Sequence, residues 1–194
     1  MRRILVSVLF VFVGLTSGWS QAMGSPSSAA QAAAAPQTAR IQDPVTAALR
    51  MFLTRFRTNT LAAITAMPAD KFSYKPSPDQ MTFAHLVVHI IGSNNSACAK
   101  VADVPAPKVE EVKETDSKDK LLAAATASFD FCGEALGKMD DSKLGDTVEL
   151  FGGRQGPRAA IALGLAAGWA DHYGAAAMYL RLNNILPPSA QPKK

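Results

Sequence analysis

Apolar side chains in this chain recur at intervals of three and four, in four separate stretches. Nowhere do they alternate with the two-residue period of a half-buried strand. That pattern restricts the fold to packed helices. The first stretch runs from Asp43 to Met67, with Val45, Leu49, Phe52, Phe56, Leu61 and Ile64 on one stripe. Asp43 is placed to cap it, Pro44 suits a first turn where the missing N–H costs nothing, and Pro68 ends it. The second begins at Thr82, a natural N-cap, and runs to about Asp103, with Phe83, Leu86, Val87, Ile90 and Ile91 as its apolar face. The third spans Asp116 or Ser117 to Met139, with Leu121, Leu122, Ala125, Phe129, Cys132 and Leu136 as its stripe. The last runs from Pro157 to Asn184. It is rich in alanine and glycine, which permits close helix approach at a cost in helix propensity. Thr147 to Phe151 reads as either extended or a turn of helix. With no repeats and no strand–helix–strand alternation, the economical architecture is an all-α antiparallel four-helix bundle.

The ends read differently. Arg2 and Arg3, the apolar run Ile4–Leu15 and the small residues of Ser20-Gln21-Ala22 form the charged, apolar and cleavage regions of a secretory signal. Residues 1–22 are therefore expected to be removed and the chain exported, to a periplasm or the extracellular space. Residues 23–43 are Ala-, Pro- and Ser-rich, with too little apolar surface to offset ordering, and read as a disordered tether. The bundle then occupies 44–188, and 189–194 reads as a frayed tail. No other segment is long and apolar enough to cross a membrane.

The formal charge of +4 falls to +2 once Arg2 and Arg3 are removed, because 18 basic side chains then face 16 acidic ones. No basic stripe with interleaved aromatics is present, so nucleic acid is not an expected partner. Cys98 and Cys132 are the only cysteines. In an exported protein such a pair fits one disulfide, formed if the second and third helices are antiparallel neighbours; a buried free pair is the alternative. The glycine-rich Gly152-Gly153-Arg154-Gln155-Gly156-Pro157 precedes a helix but lacks the lysine and strand of a phosphate loop, and reads as a flexible turn.

The chemistry concentrates in three histidines, His85, His89 and His172, the only ones in the chain. Imidazole is the commonest metal ligand near neutral pH. His85 and His89 stand one helical turn apart, beside the apolar stripe of the second helix. His172 lies in Asp171-His172-Tyr173-Gly174 on the last helix. Asp171, adjacent to His172, points about 100° away around the helix.

Two segments resemble the DinB-like (DinB/YfiT) superfamily of metalloenzymes. One is Met81-Thr82-Phe83-Ala84-His85-Leu86-Val87-Val88-His89-Ile90, continuing through Asn94-Asn95-Ser96-Ala97-Cys98. The other is Asp171-His172-Tyr173-Gly174 with Tyr179-Leu180-Arg181-Leu182-Asn183-Asn184-Ile185-Leu186-Pro187-Pro188. Tyr74-Lys75-Pro76-Ser77-Pro78 is similar to the family's lead-in to the second helix. The resemblance implies a bundle that holds a divalent ion (Zn, Ni or Fe) with three histidines: one from the second helix and two, at i and i+4, from the last. His89 and His172 match two of them. The third belongs at position 168, and this chain has Gly168. His85 is the candidate replacement, which would give a rewired three-histidine site.

Two functions follow from the resemblance. One is a DinB-like domain with a degenerate or weak metal site and no assignable reaction, which Gly168 favours. The other is a metal-dependent transferase or hydrolase using the rewired site on an unidentified small molecule. Pairing of two copies through an exposed helix face, as a homodimer, is open to either.

Overall fold

The computed structural model describes residues 40–192. The expected signal segment and nearly all of the tether lie outside the described residues. Four α-helices carry the fold: α1 (Pro44–Ala66), α2 (Phe83–Ala102), α3 (Lys118–Gly137) and α4 (Arg158–Leu182). Two three-residue strands, β1 (Thr147–Glu149) and β2 (Gln155–Pro157), form an antiparallel hairpin before α4. The stretch expected to be extended or helical at 147–151 is thus the first strand of that hairpin and part of its turn. Its turn places Gly152 and Gly153 at φ 80° and 77°, a left-handed conformation that glycine adopts without steric cost. Among the described residues no helix is long and apolar enough to cross a membrane.

The helices form the expected all-α bundle, but not every neighbouring pair is antiparallel. Each helix packs on two others, around the ring α1–α3–α2–α4. Arg57 pairs with Asp130 midway along α1 and α3, while Lys118 reaches Thr65 and Met67 at one end, so α1 and α3 are antiparallel. Trp169 meets Asn94 and Tyr179 meets Met81, so α2 and α4 are antiparallel too. Asn94 meets Ser128 and Cys98 meets Cys132, which makes α2 and α3 parallel. The physical reason is the connection over residues 103–117. Fifteen residues reach up to roughly 50 Å when extended, whereas a 20-residue helix is about 30 Å long, so the chain can return to the starting end before α3 begins. The Cys98–Cys132 disulfide forms between parallel neighbours at matching heights, not the antiparallel ones expected.

Helix ends are held largely by other helices. Thr82 and Ser117 cap α2 and α3 through their own hydroxyls, as their sequence context suggests. Asp43, expected to cap α1, does not: its backbone is left-handed at φ 48° and its side chain makes no cap bond. Asp141 caps α1 from the loop after α3. Its carboxylate accepts from Val45 N at 2.9 Å, Thr46 N at 2.8 Å and the Thr46 hydroxyl at 2.6 Å. Asp43 Oδ1 in turn accepts from Asp141 N. At the other helix ends, Arg50 donates to the Leu136 and Met139 carbonyls, Lys118 to those of Thr65 and Met67, and Arg158 to that of Lys100. Cations there satisfy orphan carbonyls and complement the helix dipole.

Although partial desolvation raises the Asp141 pKa, hydrogen bonds from Thr46 and Val45 outweigh it and hold the carboxylate below its ordinary value. Such a group stabilises the fold above the unfolded-state pKa, about 3.8, and that contribution is lost as pH falls through its lowered folded value. Asp141→Ala is expected to lower the melting temperature by several degrees at pH 7, and by much less at pH 2. An equal loss at both pH values would show that the carboxylate's charge is not the stabilising element.

The core takes in most of the predicted stripe residues, with Phe83, Ile90, Leu121 and Phe129 almost wholly enclosed, and adds Trp169 and Leu180 of α4; Val45 and Phe52 of the α1 stripe are exposed instead. Ser189, expected to begin a frayed tail, accepts a hydrogen bond from the Tyr173 hydroxyl at 2.6 Å and donates its N–H back to that oxygen at 2.9 Å.

Candidate functional site

Small residues on facing flanks of α2 and α4 leave the space between the two helices unfilled. On α4 the flank is Ala160, Gly164, Gly168 and His172, spaced by four; on α2 it includes Gly92, Ser93 and His89. The result is a cavity of about 670 Å³ between the helices, with the turn of the hairpin at one end. His89 and His172 meet across it edge to face, their ring centroids 4.9 Å apart and their planes at 86°. They also border a smaller depression of about 300 Å³ on their other side, beside Met81 and Tyr179.

The two imidazoles have different surroundings. His89 is exposed, and its Nε2 lies 3.4 Å from the Ser93 hydroxyl. His172 is partly enclosed, and its Nδ1 is buried without a hydrogen-bond partner. Burial, and secondarily the neighbouring His89, push the His172 pKa below 6.5, against a weaker opposing pull from Asp171. His172 is therefore neutral at pH 7, the form in which a ring nitrogen can accept as well as donate.

His85 does not join this pair. The first turn of α2 ties its N–H to the Thr82 hydroxyl, which itself donates to Glu114. The imidazole Nδ1 stands 3.6 Å from the same carboxylate, on a half-exposed surface in a separate depression beside Lys75 and Asp79. His85, the expected third ligand, thus stands apart from the His89–His172 pair in this structure. His85 and His89 do share a side of the helix, but the 104–117 connection supplies Glu114 and draws His85 to it. Gly168 stands where the resemblance places the missing ligand. A Cβ there would meet only His172 Cε1, at 3.8 Å, so the position is open space beside the imidazole. Among the described residues no group of three or more His, Cys, Asp or Glu side chains is arranged to hold a metal. Two imidazoles alone do not fit a three-histidine centre.

One feature of the cavity wall was not anticipated. Trp169 Nε1 donates to Asn94 Oδ1 at 2.9 Å, Asn94 Nδ2 donates to Ser128 Oγ at 3.0 Å, and Ser128 donates to the Ala125 carbonyl at 2.8 Å. This buried polar chain crosses from α4 through α2 to α3 and fixes the indole as a wall of the cavity. Its sequence signal is Asn94 itself, a polar residue on the same stripe as Ile90 and Cys98.

Comparison with known proteins agrees with this architecture. The crystal structure of a DinB-like protein from Bacillus subtilis superposes with a TM-score of 0.60 at 20% identity, covering 75% of this chain and 99% of that one. A DinB-like protein from Bacillus cereus gives 0.60 at 17% identity, covering 72% and 93%. At these identities the likeness concerns the fold. No curated protein matches the chain. The family profile described as the DinB superfamily matches residues 53–175, from α1 to the turn of α4 that carries His172, and the chain is thus a member of the DinB superfamily.

Proposed function

We propose that the chain is an exported DinB-superfamily domain whose metal centre is reduced to two histidines. It binds a divalent ion weakly at most and carries out no metal-dependent reaction. One observation carries this reading: His89 and His172 face each other with Gly168, which has no donor atom, beside them, while His85 is engaged at Glu114. The rewired three-histidine enzyme would need His85 to leave Glu114 and turn toward His89 and His172. Export is supported by the charged, apolar and small-residue regions of residues 1–22.

The test is elemental analysis and Zn²⁺ titration of the purified protein. The wild type is expected to retain well under one equivalent after dialysis. Gly168→His should bind one equivalent at least about tenfold more tightly, since the position is open and a third imidazole completes the ligand set. That gain should vanish when His89→Ala is added. One tightly held ion in the wild type, lost in His89→Ala, would overturn the proposal.

A further inference from the structure

We propose that the cavity between α2 and α4 is a binding site for a small apolar carboxylate, with Arg154 as its anion partner and the Trp169 indole as its apolar wall. The inference deepens the reading above and rests on it, because it leaves the imidazoles free of metal. At about 670 Å³ the cavity has the size of an ordinary small-molecule site, roughly 300–1,000 Å³. Its walls are mainly apolar, with Ile161, Leu165 and Trp169 on α4 and Leu150 and Phe151 on the hairpin. Trp169 is held in place by Asn94, so this wall needs no reordering when a ligand arrives.

The polar groups define the ligand's head. Arg154 is the one side chain of fixed charge that lines the cavity, and among the described residues no carboxylate pairs with it. It sits on the hairpin turn, which is anchored by the bond from Leu150 N to the Arg154 carbonyl and by Lys100 over the Phe151 ring at 5.3 Å. A guanidinium at an apolar mouth selects a planar anion through paired N–H donors. No acidic side chain lines the space to oppose an anion.

The probe is 2-naphthoate, compared with uncharged 2-naphthylmethanol, by calorimetric titration of chelator-treated protein. The wild type is expected to bind the acid at least about tenfold more tightly than the alcohol, the worth of one good charge-assisted contact. Arg154→Gln should abolish that ratio while leaving alcohol binding in place. Gly168→Leu, which projects into open space, should fill the cavity and weaken both probes at least about tenfold; circular dichroism and melting of each variant establish that it is folded. No saturable binding of either probe, or an unchanged ratio in Arg154→Gln, overturns the proposal. A parallel Zn²⁺ titration keeps the two readings apart. Tight stoichiometric zinc with intact naphthoate selectivity sinks the reduced-site reading alone, whereas weak zinc without naphthoate binding sinks this one alone.

Discussion

Replacing Cys98 and Cys132 together with alanine is expected to lower the unfolding free energy by about 4 kcal/mol, measured by urea denaturation against the oxidised wild type. The bond joins residues 34 apart, and the chain-entropy cost of leaving a loop of that length open in the unfolded state is of this size. Both sulfurs are fully enclosed between α2 and α3, so the substitution also removes some packing. A domain of this size is stable by roughly 5–15 kcal/mol, so the variant should remain folded at room temperature but lose a large share of its margin. A loss below about 1 kcal/mol would mean that the parallel α2–α3 pair is already restrained in the unfolded chain by other contacts.

Trp169→Ala should cost a similar amount, about 3–5 kcal/mol. The indole is 2% exposed, and its removal both opens a hole beside an existing cavity and strands Asn94 Oδ1 without a donor. Trp169→Phe separates these effects. It retains most of the apolar contact yet still strands the amide, so it should cost about 1–3 kcal/mol. Asn94→Leu in the Trp169→Phe background should recover part of that loss by removing the unsatisfied group, while Asn94→Leu alone strands the indole N–H. Strictly additive losses in this cycle would show that the Trp169–Asn94 bond contributes no coupling.

The parts of the fold that could be read in advance are those set by local chemistry. Thr82 and Ser117 cap the helices that follow them with their own hydroxyls, and most of the apolar stripe residues of α1, α2 and α3 face inward as their spacing requires, Val45 and Phe52 being exposed. What could not be read depends on residues far apart in the chain. Asp43 looks like a cap, but the cap of α1 comes from Asp141, in a loop that only the folded bundle brings near. The hairpin has strands of three residues, too short for a two-residue period to register. The parallel course of α2 and α3 hinges on how the 103–117 connection travels, and nothing in its polar sequence states a direction. At the site, His89 and His172 were legible because they match two histidine positions that the family resemblance implies, and His89 also falls beside the apolar stripe of its helix. The fate of His85 was not, because Glu114, its partner, lies in that same connection.

The disulfide has a consequence beyond its strength. It welds α2 to α3, but α1 and α4 are held to that pair by packing and hydrogen bonds alone. His89 belongs to the welded pair and His172 to α4, so the two imidazoles lie across a boundary that no disulfide crosses. Partial opening of the molecule along that boundary separates the cavity's walls while α2 and α3 stay joined. The cavity therefore lies in a seam that no disulfide closes, and whatever fills it bridges α2 to α4 and opposes that opening.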